Sequence, residues 1–300
     1  MSVSQEVFDL GTARQAARAA KDFALADQLR DQIALLGWEI LDIPGGFDFR
    51  AIARFPVVAR IGDVAAFSDK QFDITVALIV DGYCEDAVLA IESIKTNSAG
   101  NFAIAVLVVG SPDLKELPNQ LDERTFIVQV LSGCGWGEAA NALLKYSPSD
   151  LVVVMDPSTR FTGDALAPVI QKFQEGEFSA VGWRGGLIST DAEWRETVDK
   201  GPGEVDVLYS YFLAVKRDDA LQAGAFNIRA LYYRNADIEF SLRLRQTQGR
   251  LLQMDLPLEQ ARHHGYYDAD PEYRDVQSKK NYDRILDRFR GKNEILSPRR

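Results

Sequence analysis

Four short apolar segments place the strongest limit on the fold of this chain. They alternate with stretches of helical periodicity and with glycine-rich turns. The segments are Ile74–Val80, Phe102–Val109, 125–131 and Leu151–Met155. Continuous apolar runs of this length, rich in β-branched residues, are typical of strands buried on both faces of a parallel sheet. The pattern predicts an α/β domain built from crossover units, beginning near Phe72.

Composition agrees with a globular protein and excludes several classes. The 300 residues are 46% hydrophobic and 26% charged, which excludes a disordered chain, a collagen-like fibre and a disulfide-stapled miniprotein. The net charge of −10 argues against a general binder of polyanions such as DNA. The chain has two cysteines, no secretory pattern and no apolar run of bilayer length. These features predict a cytoplasmic protein with at most peripheral membrane contact.

Polar residues follow three of the predicted strands, where open α/β sheets bind their ligands. Asp81 follows the first strand, residues 110–113 the second and Asp156 the fourth. Asp156 is the sharpest candidate, because a carboxylate carried by a buried strand is able to hold a divalent cation and a diphosphate. In the alternative interpretation, Asp156 only caps the Asp-Pro turn that follows the strand.

Four blocks, taken together, resemble family 2 glycosyltransferases, whose catalytic domain has the GT-A fold. The blocks are residues 74–94, 137–141, 151–158 and 223–249. In that family they correspond to the nucleotide-binding start, a GxxxARN-type block, the strand with the DxD motif and the segment with the ED motif. The resemblance implies a Rossmann-like α/β sheet. It also implies transfer of a sugar from a nucleotide-diphospho-sugar to an acceptor hydroxyl with inversion; the acceptor, whether glycan, lipid or small molecule, is left open.

The resemblance implies a divalent metal, Mn²⁺ or Mg²⁺, in the DxD region. Asp156 takes the first acidic position of the motif, and Ser158 stands where the second aspartate is expected. A hydroxyl is a weaker ligand for a hard cation than a carboxylate, so metal binding would depend more on the other ligands. The adjacent His263 and His264 stand where family members often place a histidine that binds the metal or the diphosphate.

Asp237 and Glu239 are the candidates for the base that deprotonates the acceptor hydroxyl. Asp237 matches the aspartate of the ED motif, and Ala236 replaces the usual glutamate before it. Glu239 is a second candidate. On a helix the two side chains point about 200° apart, so one site cannot use both equally.

A wider set of residues is predicted to contact the nucleotide-sugar. These are Val80, Asp81, Gly82, Gly110, Asp113, Gly137, Asn141, Asp156 and Trp183. The aspartate that the family usually places after the second strand is absent or shifted here, so the nucleotide itself is left open. Trp136 and Trp183 each have two interpretations, a stacking platform for a base or sugar and an ordinary packing position.

The first residues carry a second resemblance. They are typical of two helices, a short extended piece and a Pro-Gly-Gly turn. Residues 17–46, with Lys-Asp-Phe at 21–23 and Leu-Asp-Ile-Pro-Gly-Gly at 41–46, resemble the C-terminal tail of bacterial cysteinyl-tRNA synthetases. The catalytic signatures of that enzyme are absent from the chain. An RNA-binding appendage, with tRNA as partner, and a packing or dimer contact without RNA are both open interpretations.

The sequence thus predicts four regions. They are a helical hairpin at 1–46, a linker with a short strand or helix at 47–71, a GT-A domain at 72–270 and a basic C-terminal helix at 271–300. We expect the C-terminal helix to pack on the domain; a lid over the diphosphate and contact with an anionic membrane are the alternatives. Because Ser158 and Ala236 depart from the family motifs, a non-catalytic nucleotide- or tRNA-binding protein that retains the fold is the alternative function.

Overall fold

The computed structural model describes residues 3–52 and 54–298, with the side chains of Ala51 and His264 excepted. The chain divides into two compact units, Met1–Pro56 and Val57–Arg300. They are described separately below as the small unit and the large unit.

The small unit consists of two helices and a β-hairpin. Its elements are α1 (Gln5–Ala19), α2 (Phe23–Leu35), β1 (Trp38–Ile43) and β2 (Gly46–Ala51). The side chains of Ser4 and Asp22 cap the two helices by accepting hydrogen bonds from backbone N–H groups of the first turn. The main cluster of buried apolar residues in the unit is small, with Val7, Ile33 and Ile40 at its centre and Leu10, Trp38, Phe47 and Phe49 partly buried against them.

The small unit extends past residue 46, into the segment for which the sequence predicted a linker with a short strand or helix. β1 and β2 pair antiparallel over their whole length, from Trp38 opposite Ala51 to Ile43 opposite Gly46. The short extended piece predicted before the Pro-Gly-Gly turn is therefore one strand of a hairpin, and its partner is β2, at Gly46–Ala51. The pairing gives the backbone groups of the second strand partners that a linker would leave to water.

The described part of the large unit, residues 57–298, contains fourteen strands and seven α-helices. The strands are β3 (Val57–Val58), β4 (Ile74–Val80), β5 (Phe102–Val109), β6 (Thr125–Val130), β7 (Leu151–Met155), β8 (Thr159–Phe161), β9 (Ala180–Gly182), β10 (Gly185–Ile188), β11 (Thr197–Val198), β12 (Gly203–Val205), β13 (Val207–Leu208), β14 (Phe212–Lys216), β15 (Leu251–Gln253) and β16 (Leu258–Gln260). The helices are α3 (Cys84–Asn97), α4 (Trp136–Tyr146), α5 (Leu166–Gln174), α6 (Arg217–Gln222), α7 (Ala236–Gln246), α8 (His264–Tyr267) and α9 (Pro271–Phe289). Short 3₁₀-helices cover Ile61–Asp63, Leu117–Gln120 and Asn293–Ile295.

A nine-stranded sheet forms the centre of the large unit. Its strand order is β12-β15-β9-β14-β7-β4-β5-β6-β3. The four apolar segments of the sequence are the neighbouring parallel strands β7, β4, β5 and β6, which confirms the predicted α/β sheet. β14 adds to β7 in the antiparallel direction. Every residue of β4 is buried, as expected for a central strand covered on both faces.

The order of the strands places two acidic residues at one edge of the sheet. β4 and β7 are parallel neighbours, with Leu78 opposite Met155. Asp81 and Asp156 directly follow these two strands, so both lie at the carboxyl edge, where open α/β sheets bind ligands.

The C-terminal helix packs on the large unit. Ile285 and Phe289 of α9 are fully buried against Ile238 and Leu242 of α7. Beyond α9 the chain is held by Asp206, which is fully buried and accepts hydrogen bonds from the N–H groups of Ile188 and Ser297. Within the described residues, no helix combines the length and apolar character that crossing a bilayer requires.

Candidate active site

A cavity of about 210 Å³ lies at the carboxyl ends of β4 and β7, and we call it the donor cavity. Its wall brings together five predicted site residues, Asp81, Gly82, Asp156, Ser158 and His263. Trp136 also lines it, and its ring packs edge-on against Phe226. Burial raises the pKa of Asp81, and the negative charge of Asp156 raises it further. Two carboxylates facing one cavity produce a local negative potential that favours a cation.

Ser158 holds the carboxylate of Asp156 in place. The backbone N–H and the hydroxyl of Ser158 both donate to Asp156 Oδ1, at 2.8 and 2.6 Å. Ser158 is only 3% exposed. The sequence suggested this hydroxyl as a metal ligand, but the structure directs it to the neighbouring carboxylate. In this arrangement Ser158 orients Asp156, whose Oδ2 is left for other partners.

His263 faces Asp156 Oδ2. Its Nε2 lies 3.1 Å from that oxygen, yet this buried nitrogen has no hydrogen bond of acceptable geometry. Two ligands of one octahedral cation, each about 2.1 Å from it, lie about 3 Å apart. The pair therefore fits a shared divalent cation. It is a pair only, since the described residues include no group of three or more His, Cys, Asp or Glu side chains placed to hold a metal.

Asp237 lies in an adjoining cavity of about 230 Å³, the base cavity, whose wall also includes Asp156. Asp237 Oδ2 accepts hydrogen bonds from the N–H and hydroxyl of Ser210 at 2.9 and 3.2 Å, and Oδ1 accepts one from the N–H of Ile238 at 2.9 Å. Burial raises the pKa of Asp237 from 3.8 to about 6, although these hydrogen bonds lower it. A carboxylate with a pKa near neutrality suits general-base catalysis.

Glu239 points elsewhere, although it lies on the same helix. It is 2% exposed and its carboxylate binds Arg243 Nη2 at 2.8 Å and Asn227 Nδ2 at 2.8 Å, with Arg284 Nε at 3.6 Å. It lines neither cavity. The structure thus corrects the expectation of a second base: this carboxylate joins α7 to its neighbours.

Gly137 and Asn141 of α4 contact the backbone of the segment 226–231. A Cβ at Gly137 would lie 2.2 Å from the carbonyl oxygen of Asn227, so only glycine permits the close approach of α4 to the 227–231 segment. The amide of Asn141 donates to the carbonyl of Phe226 and accepts from its N–H, both at 2.9 Å. These two predicted nucleotide contacts are therefore directed to the backbone of a loop, and they line neither cavity.

Four further predicted residues lie off the cavity walls. Val80 is 1% exposed within β4. The carbonyl of Gly110 accepts a hydrogen bond from the Gln129 side chain, and Asp113 accepts one from the N–H of Lys115. The ring of Trp183 is stacked by the guanidinium of Arg184, 4.4 Å from its centroid. The side chain of the remaining candidate, His264, lies outside the described part of the structure.

The sequence analysis missed the aromatic character of the site. A third cavity of about 520 Å³, the arginine–tyrosine cavity, borders His263 and contains Arg234 and Arg262. Eight of the ten tyrosines line one or more of the three cavities: Tyr83, Tyr209, Tyr211, Tyr232, Tyr233, Tyr266, Tyr267 and Tyr273. The signal was present in the sequence, because the tyrosine pairs 232–233 and 266–267 lie close to Asp237 and to His263 along the chain.

Solved structures with known activities have the same architecture. The structure of GalNAc-T7 with UDP, GalNAc and Mn²⁺ matches with a TM-score of 0.55 over 73% of this chain and 48% of that chain, at 13% sequence identity. A mannosyltransferase from Pyrobaculum calidifontis, in complex with GDP-Man and Mn²⁺, matches with a TM-score of 0.54 over 75% of this chain and 67% of that chain, at 15% identity. The chain has the GT-A fold. At these identities the likeness shows the GT-A fold and nothing finer.

The sequence comparisons are narrower. No family model matches the chain. A stretch of 34 residues is 62% identical to the cysteine–tRNA ligase of Synechococcus sp. (strain CC9605), and it covers 11% of this chain and 7% of that enzyme. This chain therefore spans a small fraction of the ligase and about half of GalNAc-T7. The likeness to the cysteine–tRNA ligase is confined to this short stretch and does not extend to the rest of that enzyme.

Proposed function

We propose that this protein is a metal-assisted glycosyltransferase that transfers a sugar from a nucleotide-diphospho-sugar to an acceptor hydroxyl with inversion. The supporting observation is the placement of Asp156, His263 and Asp237 on two adjoining cavities at the carboxyl edge of a GT-A sheet. The named structural neighbours are consistent with this proposal, since they were solved with nucleotides or a nucleotide-sugar and Mn²⁺.

The donor side depends on Asp156 and His263. These two side chains would hold the divalent cation, and Ser158 keeps Asp156 in the required orientation. A cation bound there supplies Lewis-acid stabilisation of the departing diphosphate. The remaining wall of the donor cavity, with Trp136 and Asp81, is where the nucleoside would lie.

On the acceptor side, Asp237 removes the proton of the attacking hydroxyl. With a pKa of about 6 its carboxylate is ionised at pH 7. Oδ2 already accepts two hydrogen bonds from Ser210, and Oδ1 accepts one. Oδ1 is therefore the oxygen that takes the proton. The deprotonated oxygen then attacks the anomeric carbon from the side opposite the nucleotide, which gives inversion.

Thermal unfolding with a panel of nucleotide-sugars tests the donor assignment. We expect one of the UDP-, GDP-, dTDP- and CDP-sugars to raise the melting temperature by several degrees, and Mn²⁺ to increase the rise. A ligand at about 100 times its dissociation constant adds roughly 2.7 kcal/mol to the unfolding free energy. His263→Gln is the matched variant, which should retain part of the shift but lose its dependence on Mn²⁺. No shift with any donor would contradict the proposal.

The rival proposal is a non-catalytic nucleotide- or tRNA-binding protein. It is favoured by two observations, the engagement of the Ser158 hydroxyl by Asp156 and the short likeness to a cysteine–tRNA ligase. Titration of the intact protein with total tRNA at 0.15 M salt separates the two proposals. Specific tRNA binding without any nucleotide-sugar response would favour the rival. Absence of tRNA binding would remove its tRNA-binding form, and measured sugar transfer would remove its nucleotide-binding form.

A further inference from the structure

A fourth cavity, of about 450 Å³, continues the base cavity away from the donor cavity. It shares four wall residues with the base cavity, namely Thr197, Arg234, Asn235 and Ile238. Arg195, Glu196 and Tyr282 complete its wall. An acceptor whose hydroxyl lies against Asp237 would extend into this space, which we call the acceptor cavity.

Arg234 stands where three cavities meet. It lines the acceptor cavity, the base cavity and the arginine–tyrosine cavity. Its side chain is exposed, and its guanidinium lies 4.9 Å from the ring centroid of Tyr266. Stacking on an aromatic face orients a guanidinium while leaving its N–H groups available. A ligand in any of these cavities would therefore meet a positioned cation.

Arg234 and Arg195 differ from the other arginines near the site. Arg262 is paired with Asp268, and Arg284 lies beside Glu239. Among the described side chains, by contrast, neither Arg234 nor Arg195 makes an ion pair or a side-chain hydrogen bond. In a chain with ten more acidic than basic residues, this cavity has two guanidinium groups and one carboxylate on its wall.

We infer that the acceptor carries an anionic group, a phosphate or carboxylate, which Arg234 and Arg195 bind while its hydroxyl faces Asp237. This inference rests on the proposed function and names the chemical class of its acceptor. Guanidinium groups bind carboxylates and phosphates through paired, charge-assisted hydrogen bonds. Glu196 lies on the same wall, so two positive charges and one negative charge face the acceptor cavity.

The donor diphosphate is a weaker explanation for these arginines. The donor cavity, which contains Asp156 and His263, is lined by neither arginine nor lysine. There the charge of a diphosphate would be balanced by the cation. Arg195 lies on the acceptor cavity, which does not include Asp156 or His263.

Matched pairs of small probes test the inference. Binding of glucose, glucose 6-phosphate and glucuronate is measured by calorimetry in the presence of Mn²⁺ and the nucleotide that binds, with inorganic phosphate as a probe without a sugar. We expect at least one anionic sugar to bind tenfold or more tightly than glucose. The comparison of phosphate with carboxylate decides which anion is preferred.

Variants separate the acceptor role from general charge. Arg234→Gln and Arg195→Gln should each lower the affinity for the anionic sugar about tenfold. The double variant should bind the anionic sugar no more tightly than glucose. Arg234→Lys should retain part of the preference for the anionic sugar. Arg184→Gln removes an exposed arginine that lines none of these cavities and should change nothing. Affinity for the nucleotide should stay within twofold in all five variants.

The outcomes are distinguishable. Equal binding of glucose and both anionic sugars by the unaltered protein, with normal nucleotide binding, overturns this inference and leaves the proposed function standing. Loss of nucleotide affinity in Arg234→Gln overturns it by assigning this arginine to the donor. An unaltered protein that binds no nucleotide contradicts the proposed function itself, and the acceptor assignment fails with it.

Discussion

The small unit resembles known proteins in its sequence, whereas the large unit resembles them in its fold. The small unit has a main cluster with three buried apolar residues at its centre, and its sequence carries the motif resemblance to a synthetase tail. The large unit has a nine-stranded sheet whose architecture matches glycosyltransferases at 13 and 15% identity. A fold survives extensive substitution because many sequences satisfy the same pattern of buried strands. Sequence similarity over a short segment, by contrast, does not by itself imply the same catalytic activity.

Asp237→Asn should produce the largest effect and place the chemistry in the large unit. The amide cannot accept the proton of the acceptor hydroxyl, so we expect kcat to fall by about 10²–10⁴-fold. Affinity for the nucleotide-sugar should change by less than about twofold. Steady-state turnover and calorimetric titration measure the two quantities. Unchanged turnover would mean that Asp237 is not the base.

Glu239→Gln is the matched control on the same helix. It leaves Arg243 and Arg284 without the buried carboxylate that they share, so the free energy of unfolding should fall by about 3–5 kcal/mol. Measured well below its melting temperature, the variant should retain much of its turnover. A loss of turnover like that of Asp237→Asn, in a stable protein, would restore Glu239 as a candidate base.

Ser158→Ala should lower the affinity for the metal without removing a metal ligand. Asp156 then lacks the hydroxyl that orients its Oδ1, and loss of such support typically costs about 10–100-fold in metal affinity. Mn²⁺ titration followed by electron paramagnetic resonance, in the presence of nucleotide, measures the change. If Ser158→Asp instead strengthens Mn²⁺ binding, the serine is a weak metal ligand and does not act only by orienting Asp156.

The pH profile of kcat should report the burial of Asp237. Its pKa is raised to about 6, so below pH 6 it becomes protonated and kcat should fall about tenfold per pH unit. Ser210→Ala removes the hydroxyl hydrogen bond that lowers this pKa, so the acid limb should move to higher pH. An acid limb that stays near pH 4 would assign the profile to another group.

Ile33→Ala should have the smallest effect on transfer and the clearest effect on the small unit. Ile33 is fully buried in its core, and such truncations cost about 2–5 kcal/mol. Scanning calorimetry should show an earlier transition for the small unit, with turnover unchanged. Ile104→Ala in β5 is the matched truncation in the large unit, and it should lower the nucleotide-sensitive transition instead. Reduced turnover in Ile33→Ala would show that the two units work together.

The sheet could be predicted from the sequence because the strands are continuous apolar runs, and burial follows directly from such runs. The position of Asp156 at the carboxyl edge of the sheet could be predicted as well, since β7 ends at the residue before it. Glu239 could not be assigned, because its partners include Arg284, far along the chain, and no local pattern reveals which helix face such a partner meets. The role of Ser158 was missed for a related reason. Which way its hydroxyl points depends on the turn conformation and not on the residue type.

The hydrogen bond from Ser297 to Asp206 has a consequence during synthesis. The two residues are 91 positions apart, so at about 5–20 residues per second Asp206 leaves the ribosome roughly 5–20 s before its donor. During that interval Ile285 and Phe289 of α9 are also missing from the face of α7 that carries Ile238 and Leu242. The nascent chain therefore exposes the apolar face of α7 beside Asp237, and this face is covered only after translation has passed α9.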